Sequence, residues 1–267
     1  HYDLGNQFYA SWLDETMTYS SAIFVNEQDS LRDAQVQKYE SLLDMGRLED
    51  SHDVLEVGCG WGGLLEHISL RNRCNVKGIT ISQNQFNYAK KRISGFHNSD
   101  NVSVQMCDYR HVDGKYDRIF SIEMIEAVGE RYWPIFFRSM KELLRPNGEL
   151  IIQAITINDA AFPAYRLRPD FIQMYIFPGG MLMSPSVMKE IALREGLAIT
   201  QKKCFGAQYA KTLKLWRERF NKAWSDRLRH EGYDDNFRRM WNFYLAYCEA
   251  GFNEKYIDVE QVKFLST

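Results

Sequence analysis

A glycine-rich loop directly after a short apolar run constrains the fold of this chain more than any other feature. Residues 53–57 (Asp-Val-Leu-Glu-Val) lead into Gly58, Gly60 and Gly62. Glycine adopts left-handed backbone readily and has no Cβ, so a ligand can approach its backbone closely. A helix expected to begin near Trp61 would direct its free N–H groups and the positive end of its dipole at that ligand. The pattern predicts a nucleotide-type cofactor site at the end of a strand.

The glycine spacing alone does not select the cofactor. Gly58, Gly60 and Gly63 match G-x-G-x-x-G, which dinucleotide dehydrogenases share with S-adenosylmethionine (SAM) methyltransferases. A dehydrogenase is expected to carry Asp or Glu about 20 residues further on, for the ribose hydroxyls. The second apolar run, 76–82, instead ends in hydroxyl residues, and Glu56 can accept hydrogen bonds from a cofactor or from the loop. These features favour SAM, with a dinucleotide as the alternative.

The composition indicates a globular protein, with 45% hydrophobic and 25% charged residues in 267. Its net charge of −2 predicts no general affinity for nucleic acid. The five cysteines form no C-x-x-C pair and the histidines form no H-E-x-x-H motif, so we expect neither a disulfide framework nor a bound metal. This cysteine usage predicts a protein of the reducing cytoplasm. No apolar run approaches the ~20 residues of a membrane span. Because the chain begins with His1 rather than Met, we expect it to be part of a longer protein.

Alternating β-rich and helical patterns predict an α/β fold with a mostly parallel sheet of about seven strands. The predicted strands are 53–57, 75–79, 102–106, 117–121, 149–154, 198–204 and 259–265, the final pair antiparallel. The predicted helices are 61–71, 83–96, 131–144 and one near 29–45. We expect a single domain over 1–267, in which 1–52 covers the ligands, 53–154 binds the cofactor and 155–267 binds the substrate. Residues 155–185 are expected to be irregular.

A helical insertion is expected at about 207–250, because two apolar stripes occur there at helical spacing. The stripes are Leu213, Trp216, Phe220, Trp224 and Leu228, then Phe237, Met240, Trp241 and Tyr244. Residues 202–239 carry eleven Lys and Arg against five Asp and Glu. One interpretation is a helical pair docked on the core with a solvated basic face. The other is a lid over an apolar substrate that also contacts anionic phospholipid.

Two carboxylates, Glu123 and Glu126, follow the strand predicted over 117–121. They are expected beside the cofactor crevice, where a carboxylate can orient a base or stabilise a cation. The alternative is an acidic cap at a helix N-terminus, which needs only one of them.

Six blocks of sequence, in order along nearly the whole chain, resemble one known family. They are 1–6 (HYDLGN), 17–22 (MTYSSA), 57–63 (VGCGWGG), 78–85 (GITISQNQ), 175–180 (YIFPGG) and 248–252 (CEAGF). Together they resemble the cyclopropane-fatty-acid synthases and mycolic-acid cyclopropane synthases. The resemblance implies the class I SAM-dependent methyltransferase fold, with Rossmann-like topology. It also implies transfer of a methylene carbon to the cis double bond of an unsaturated acyl chain in a membrane phospholipid.

The same resemblance implies a bicarbonate ion as the base, held by Glu126, Tyr209, Gln153 and Ser21. Many bacterial members have His in place of Gln153 and Cys in place of Ser21, whereas plant-type members resemble this chain at both positions, which suggests a plant-type sub-branch. Cys248 lies in a family block and is included among the candidate catalytic residues, although we favour a buried structural thiol.

Most of the expected SAM contacts also come from the resemblance. They are Tyr19, Ser20, Gly58, Gly60, Thr80, Ser82, Gln85 and Tyr109, to which the glycine loop adds Gly62 and the first strand adds Glu56.

The expected partners are the acyl chain, an anionic membrane surface at the inner face, and a second copy of the chain in a homodimer. The alternative product is a methylene- or methyl-branched chain, and the methyl-branched form requires a partner reductase. The remaining alternatives are methylation of a small N or O nucleophile and a SAM-binding lipid-sensing module without catalysis.

Overall fold

A twisted seven-stranded sheet forms the centre of the computed structural model, which describes residues 4–95 and 99–267. The strands are β1 (Asp53–Val57), β2 (Asn75–Thr80), β3 (Val102–Met106), β4 (Tyr116–Ile122), β5 (Leu144–Ile157), β6 (Leu197–Cys204) and β7 (Ile257–Ser266). Their order is β3-β2-β1-β4-β5-β7-β6, and β7 runs antiparallel to both of its neighbours. The expected α/β class, the seven strands and the antiparallel final pair are confirmed.

Helices cover both faces of this sheet. They are α1 (Gly5–Ala10), α2 (Leu31–Met45), α3 (Gly63–Arg71), α4 (Gln83–Ile93), α5 (Trp133–Leu143), α6 (Phe162–Leu167), α7 (Pro185–Arg194), α8 (Gly206–Asp226) and α9 (Asp235–Asn253). The helix expected at 61–71 begins two residues later, because the glycine turn extends to Gly62. His1, Tyr2 and Asp3 of the first family block, and Phe96 of the predicted 83–96 helix, lie outside the described residues.

The expectation of an irregular segment over 155–185 is correct for the turns and loops at 158–161, 168–170 and 177–184, and wrong for the rest. The strand β5 continues to Ile157, α6 follows, and a π-helix spans Ile172–Ile176. Pro163 occupies the first turn of α6, where a missing N–H costs no hydrogen bond, so this proline starts a helix rather than breaking one. The segment therefore has defined structure beside the carboxyl end of β5.

The helical insertion is confirmed as the pair α8 and α9, and its apolar stripes face the protein core. Trp216 and Phe220 are fully buried, and Trp241 packs edge-to-face against Phe8 of α1. Several of its basic side chains make internal bonds. Arg219 donates to two backbone carbonyls of the segment after α1, and Arg217 pairs with Glu249. Within residues 4–95 and 99–267 no helix is long and apolar enough to cross a bilayer.

Strand register fixes which side chains meet at one edge of the sheet. The carboxyl ends of β1, β2, β4 and β5 lie together because these strands are parallel. In the register of β4, β5 and β7, Ile122 lies beside Gln153, and Gln153 lies beside Gln261. The residue after β4 is Glu123, so the fold places this carboxylate next to Gln153.

Candidate active site

Two cavities open at this edge of the sheet and meet at a common wall. The first, of about 430 Å³, is lined by the glycine loop and is called here the glycine-loop cavity. The second, of about 450 Å³, is lined largely by apolar side chains of β5, the π-helix, α8 and α9, and is called the apolar cavity. Tyr19, Glu123 and Ala127 line both. A ligand in either cavity therefore reaches the same three residues.

The glycine loop has the backbone that its sequence predicts. Gly58, Gly60 and Gly62 have φ of 79°, 53° and 80°. A Cβ on Gly60 would meet no atom within 4 Å, so its bare face opens on the cavity. Gly62 is different, because it is the N-cap of α3 and its Cβ would lie 3.2 Å from the Cβ of Ala89. Gly62 thus allows close packing of α3 on α4, and it is not among the lining residues described for the cavity.

All the other expected SAM contacts line the glycine-loop cavity. They are Tyr19, Ser20, Glu56, Gly58, Gly60, Thr80, Ser82, Gln85 and Tyr109. The Thr80 hydroxyl donates to Gln85 Oε1 at 2.9 Å, and the Ser82 hydroxyl accepts from the Gln85 N–H at 3.4 Å as the N-cap of α4. These bonds hold the loop after β2 in place, so the three residues shape the cavity wall as well as offering polar groups to a ligand.

The segment between α1 and α2 is held over the sheet edge by a chain of hydrogen bonds. The Thr16 hydroxyl donates to Asp14 Oδ2 at 2.5 Å and lies 2.7 Å from the Thr18 hydroxyl, which in turn lies 2.5 Å from the Tyr39 hydroxyl. Because the segment is fixed at these points, Tyr19 is held at the common wall of the two cavities.

A buried carboxylate in the glycine-loop cavity fits a cationic ligand. Glu56 is almost fully buried, and its Oε2 has no hydrogen-bond partner among the described residues. Burial raises the pKa of Glu56 to about 8, against the charges of Lys38 and Arg92, which lower it. SAM carries an ammonium and a sulfonium, so this orphaned oxygen suits it better than it suits a purely anionic ligand.

Lys38 is a buried cation that sequence reasoning missed. Its Nζ donates to the Ser20 hydroxyl at 2.6 Å. Burial lowers the pKa of Lys38 to about 8, and the charges of Glu123, Asp14 and Glu56 oppose that shift. In the sequence, Lys38 is one of several polar residues of a helix with the pattern of a surface helix. No local signal distinguishes Lys38 from a solvent-exposed lysine.

The carboxylate of Glu123 is the centre of the polar site. Its Oε1 accepts from the backbone N–H of Ser21 and from Gln153 Nε2, both at 2.8 Å. Its Oε2 accepts from the Tyr209 hydroxyl at 2.6 Å. Burial raises the pKa of Glu123, whereas these three hydrogen bonds and the charge of Lys38 lower it.

The role expected for Glu126 needs correction. Its Oε1 accepts from the backbone N–H of Ile155 at 2.6 Å, and the Tyr209 hydroxyl bonds to Glu123 instead. Ser21 also differs from expectation, because it contributes its backbone N–H while its hydroxyl donates to the Ala22 carbonyl at 3.2 Å. The two carboxylates are three positions apart in sequence, and nothing in the sequence between them shows which one turns towards Tyr209.

The donors expected to hold a bicarbonate do not fit that ion in this chain. Ser21, Gln153 and Tyr209 all donate to Glu123. The Glu123 carboxylate presents to them a planar pair of oxygens like that of bicarbonate. A second oxyanion in contact with these donors would have to displace a buried carboxylate of like charge. In this structure the acceptor that faces these donors is an internal carboxylate.

The apolar cavity suits a hydrocarbon chain. Its lining includes Ile155, Ile157, Ile172, Phe177, Leu213, Phe252 and Ile257, together with Tyr209, Tyr244 and Tyr247. The Tyr209 ring stacks on Phe252 with 4.5 Å between centroids. Cys248 lines the same cavity, and burial, with a smaller contribution from the charge of Asp170, raises the pKa of its thiol to about 12. Cys248 is thus a neutral wall group and a poor nucleophile.

One cluster of metal-ligand type occurs in the part of the chain that the structure describes, and it lies apart from both cavities. It consists of Cys204, Asp258 and Glu260. Glu260 is paired with Lys202 at 3.0 Å, and Asp258 Oδ1 accepts from the backbone N–H of Gly206 at 2.7 Å. These carboxylates serve internal bonds at the outer strands.

The sheet order and the glycine loop after β1 define the class I SAM-dependent methyltransferase fold. The mycolic acid cyclopropane synthase CmaA1, solved with SAH and CTAB, superposes with a TM-score of 0.89 at 29% identity, covering 99% of this chain and 95% of that one. Coclaurine N-methyltransferase shares the fold with a TM-score of 0.81 at 20% identity, covering 97% of this chain and 80% of that one.

A family model, mycolic acid cyclopropane synthetase, matches residues 1–262, and the chain belongs to this family. The tuberculostearic acid methyltransferase UfaA1 of Mycobacterium tuberculosis is 43% identical over 98% of the chain, and the cyclopropane-fatty-acyl-phospholipid synthase of Escherichia coli is 33% identical over 99%. The chain spans 62% and 66% of the lengths of these two relatives.

Proposed function

We propose that this protein transfers a one-carbon unit from SAM to the cis double bond of an unsaturated acyl chain. The observation that carries this proposal is the common wall of the two cavities. A polar cavity suited to a cationic nucleoside ligand meets an apolar cavity suited to a hydrocarbon chain at Tyr19 and Glu123. A small polar nucleophile would not need an apolar cavity of about 450 Å³ next to the methyl donor.

The glycine-loop cavity would hold SAM through the Gly58–Gly60 backbone, Glu56, and the polar groups of Thr80 and Gln85. When bound, SAM supplies an electrophilic methyl carbon. An alkene is a weak nucleophile, so the protein contributes mainly alignment of the double bond with that carbon and exclusion of water. The common wall and the buried, hydrogen-bonded segment around Thr18 contribute to both.

Aromatic side chains surround the position where a carbocation would form. Tyr19, Tyr209 and Tyr244 line the apolar cavity, and the hydroxyls of Tyr19 and Tyr244 lie 2.8 Å apart. Aromatic faces stabilise cations without attacking them as water would. The wall therefore stabilises the charge until a base removes a proton.

An exposed aromatic patch next to the apolar cavity supports a phospholipid bilayer as the source of the acyl chain. The patch consists of Phe171, Tyr175, Phe243 and Tyr247, whose rings contact one another, and Leu167 and Met174 are exposed on the same segment. Tyr247 also lines the cavity, so patch and cavity are continuous. Exposed Arg166 and Arg168 flank Leu167 in sequence, and Arg168 in particular suits an anionic surface at the inner face of a membrane, because Arg166 is paired with Glu130 at 2.7 Å.

Two products are consistent with this chemistry. Loss of a proton from the transferred methyl group closes a cyclopropane, as the names of the Escherichia coli and CmaA1 relatives suggest. A hydride shift to the cationic carbon followed by loss of a proton from the methyl group gives a methylene branch, which a partner reductase would convert to a methyl branch. The 43% identity to a relative named tuberculostearic acid methyltransferase supports this second product.

The test is incubation of the protein with SAM and vesicles of unsaturated phosphatidylglycerol. We expect the esterified chains to gain the mass of one CH₂ group, and chromatography of the fatty esters separates cyclopropane from methylene products. Formation of S-adenosylhomocysteine only when small amines or phenols replace the lipid would contradict the proposal in favour of an N- or O-methyltransferase.

A further inference from the structure

We propose that the carboxylate of Glu123 is the general base of the reaction and takes the place of an external oxyanion. The proposal rests on the proposed function, because a base is needed only if a carbocation forms. It concerns a residue that the resemblance did not assign, and it replaces an ion with a side chain of this protein.

The position of the Glu123 carboxylate is fixed by donors from three separate elements. Ser21 precedes α2, Gln153 is on β5 and Tyr209 is on α8, and each donates to one of the two carboxylate oxygens. A carboxylate that faces only donors keeps its negative charge best. Because Glu123 also lines both cavities, its oxygens are at the boundary where a carbon received from SAM would sit.

The orientation of the Gln153 amide supports an anion at Glu123. Gln153 Oε1 accepts from Gln261 Nε2 at 3.0 Å, and Gln261 Oε1 accepts from the Ser41 hydroxyl at 2.7 Å. This chain of bonds leaves only the NH₂ end of Gln153 to face Glu123. The β7 strand thus ensures that Gln153 donates to the carboxylate.

The backbone at Glu123 is costly, which indicates that the side chain has a use. Its φ is 48°, in the left-handed region that glycine adopts more readily. Non-glycine residues in that region persist where the surrounding structure holds them, and they concentrate at functional sites. A glycine here would relieve the backbone, yet it would leave the three donors without their acceptor.

The surroundings of the two carboxyls favour a negative charge on Glu123 rather than on Glu126. Burial and the charge of Glu123 raise the pKa of Glu126 to about 8, and Glu126 Oε2 has no hydrogen-bond partner among the residues described. Burial also raises the pKa of Glu123, but its three donors and the nearby charge of Lys38 lower it. Two neighbouring carboxyls in such different surroundings suit the separate roles of acid and base, an arrangement typical of paired catalytic carboxyls.

In the proposed step, the π electrons of the alkene form a bond to the methyl carbon as the bond from sulfur to that carbon breaks, which leaves a cation on the neighbouring chain carbon. Glu123 then removes a proton, and the electrons of the broken C–H bond neutralise the cation. Removal from the transferred methyl closes the ring directly. If a hydride first shifts from the methyl-bearing carbon to the cationic carbon, removal from the same methyl forms the methylene branch instead. The proton leaves Glu123 for solvent after product departs.

The first arm of the test measures turnover on unsaturated phosphatidylglycerol vesicles in CO₂-free buffer. We expect the parent protein to keep full turnover without bicarbonate. Glu123→Gln keeps the volume and removes the charge, so turnover is expected to fall at least about a hundredfold with SAM affinity unchanged. Glu142→Gln, the same chemical change at an exposed position of α5, is the matched control and is expected to match the parent.

The second arm uses Glu123→Gly, which suits the positive φ and leaves space in front of the three donors. We expect it to be inactive in CO₂-free buffer and to regain turnover when bicarbonate is added. Independently of activity, ¹³C NMR with labelled bicarbonate is expected to show binding to Glu123→Gly and none to the parent.

A parent protein that binds labelled bicarbonate, or that loses turnover in CO₂-free buffer, would overturn the proposal. So would Glu123→Gln with near-parental turnover. If the parent transfers no carbon to any unsaturated lipid, the proposed function fails and the base role fails with it. The NMR arm then still decides whether Glu123 fills the oxyanion position.

Discussion

The ammonium of Lys38 lies 2.6 Å from the hydroxyl of Ser20, and both residues are buried. This contact joins α2 to a residue that lines the glycine-loop cavity. The positive charge of Lys38 also compensates the negative charges of the carboxylates of Glu56 and Glu123. One buried cation thus acts on the residues expected to bind SAM and on the proposed base.

Lys38→Met should shift the pH dependence of turnover. The charge of Lys38 lowers the pKa of Glu123, so removing that charge raises this pKa and a higher pH is needed to ionise the base. The acid limb of kcat should therefore move to higher pH. A pH–rate profile measures this shift, with Lys222→Met on the exposed side of α8 as the control. An unshifted limb in a folded Lys38→Met protein would show that Lys38 has no electrostatic role.

Gly60→Val should abolish SAM binding while the protein remains folded. A Cβ on Gly60 meets no protein atom, so the added branches extend into the space where the ligand needs bare backbone. Calorimetry measures the affinity. Gly232→Val is the matched control, because Gly232 also has positive φ with open space around its Cβ, on an exposed turn. Unchanged SAM affinity in Gly60→Val would contradict the cofactor site.

Relative to the parent, the Glu126→Gln variant should become more stable as pH rises. The pKa of Glu126 is about 8 in the folded protein and lies near its usual lower value in the unfolded chain. Between these values the folded state binds more protons, so this group makes the free energy of unfolding fall as pH increases from about 4.5 to about 8. The variant lacks this dependence. The Tm of the variant minus that of the parent should increase over that range. A constant difference would contradict the raised pKa of Glu126.

Phe243→Ser should weaken binding to anionic vesicles. Phe243 is half exposed in the aromatic patch, and a hydroxyl there removes apolar surface that a bilayer would bury. Leu193→Ser, at a similarly exposed apolar residue of α7, is the control. In vesicle flotation the parent should bind more strongly with anionic lipid and more weakly with salt, since charges are screened beyond about 8 Å at physiological ionic strength. Equal binding of parent and Phe243→Ser would exclude the patch as the docking surface.

Local patterns predicted the strands and most of the helices, because they depend on periodicity and on glycine and proline positions. The centre of the polar site was not predictable in the same way. Whether Glu123 or Glu126 turns towards Tyr209 depends on a left-handed residue after β4 and on α8 docking 86 residues later in sequence. The burial of Lys38 likewise depends on how α2 packs on the sheet, which its own sequence does not specify.

The common wall at Tyr19 and Glu123 has a kinetic consequence. Because each ligand has a cavity of its own, both can be bound at once, and neither has to leave before the other enters. Under the proposed function, the carbon then passes from donor to acceptor within a ternary complex without residing on the protein. Initial-rate plots against the two substrates should intersect rather than run parallel, which separates direct transfer from a double-displacement route.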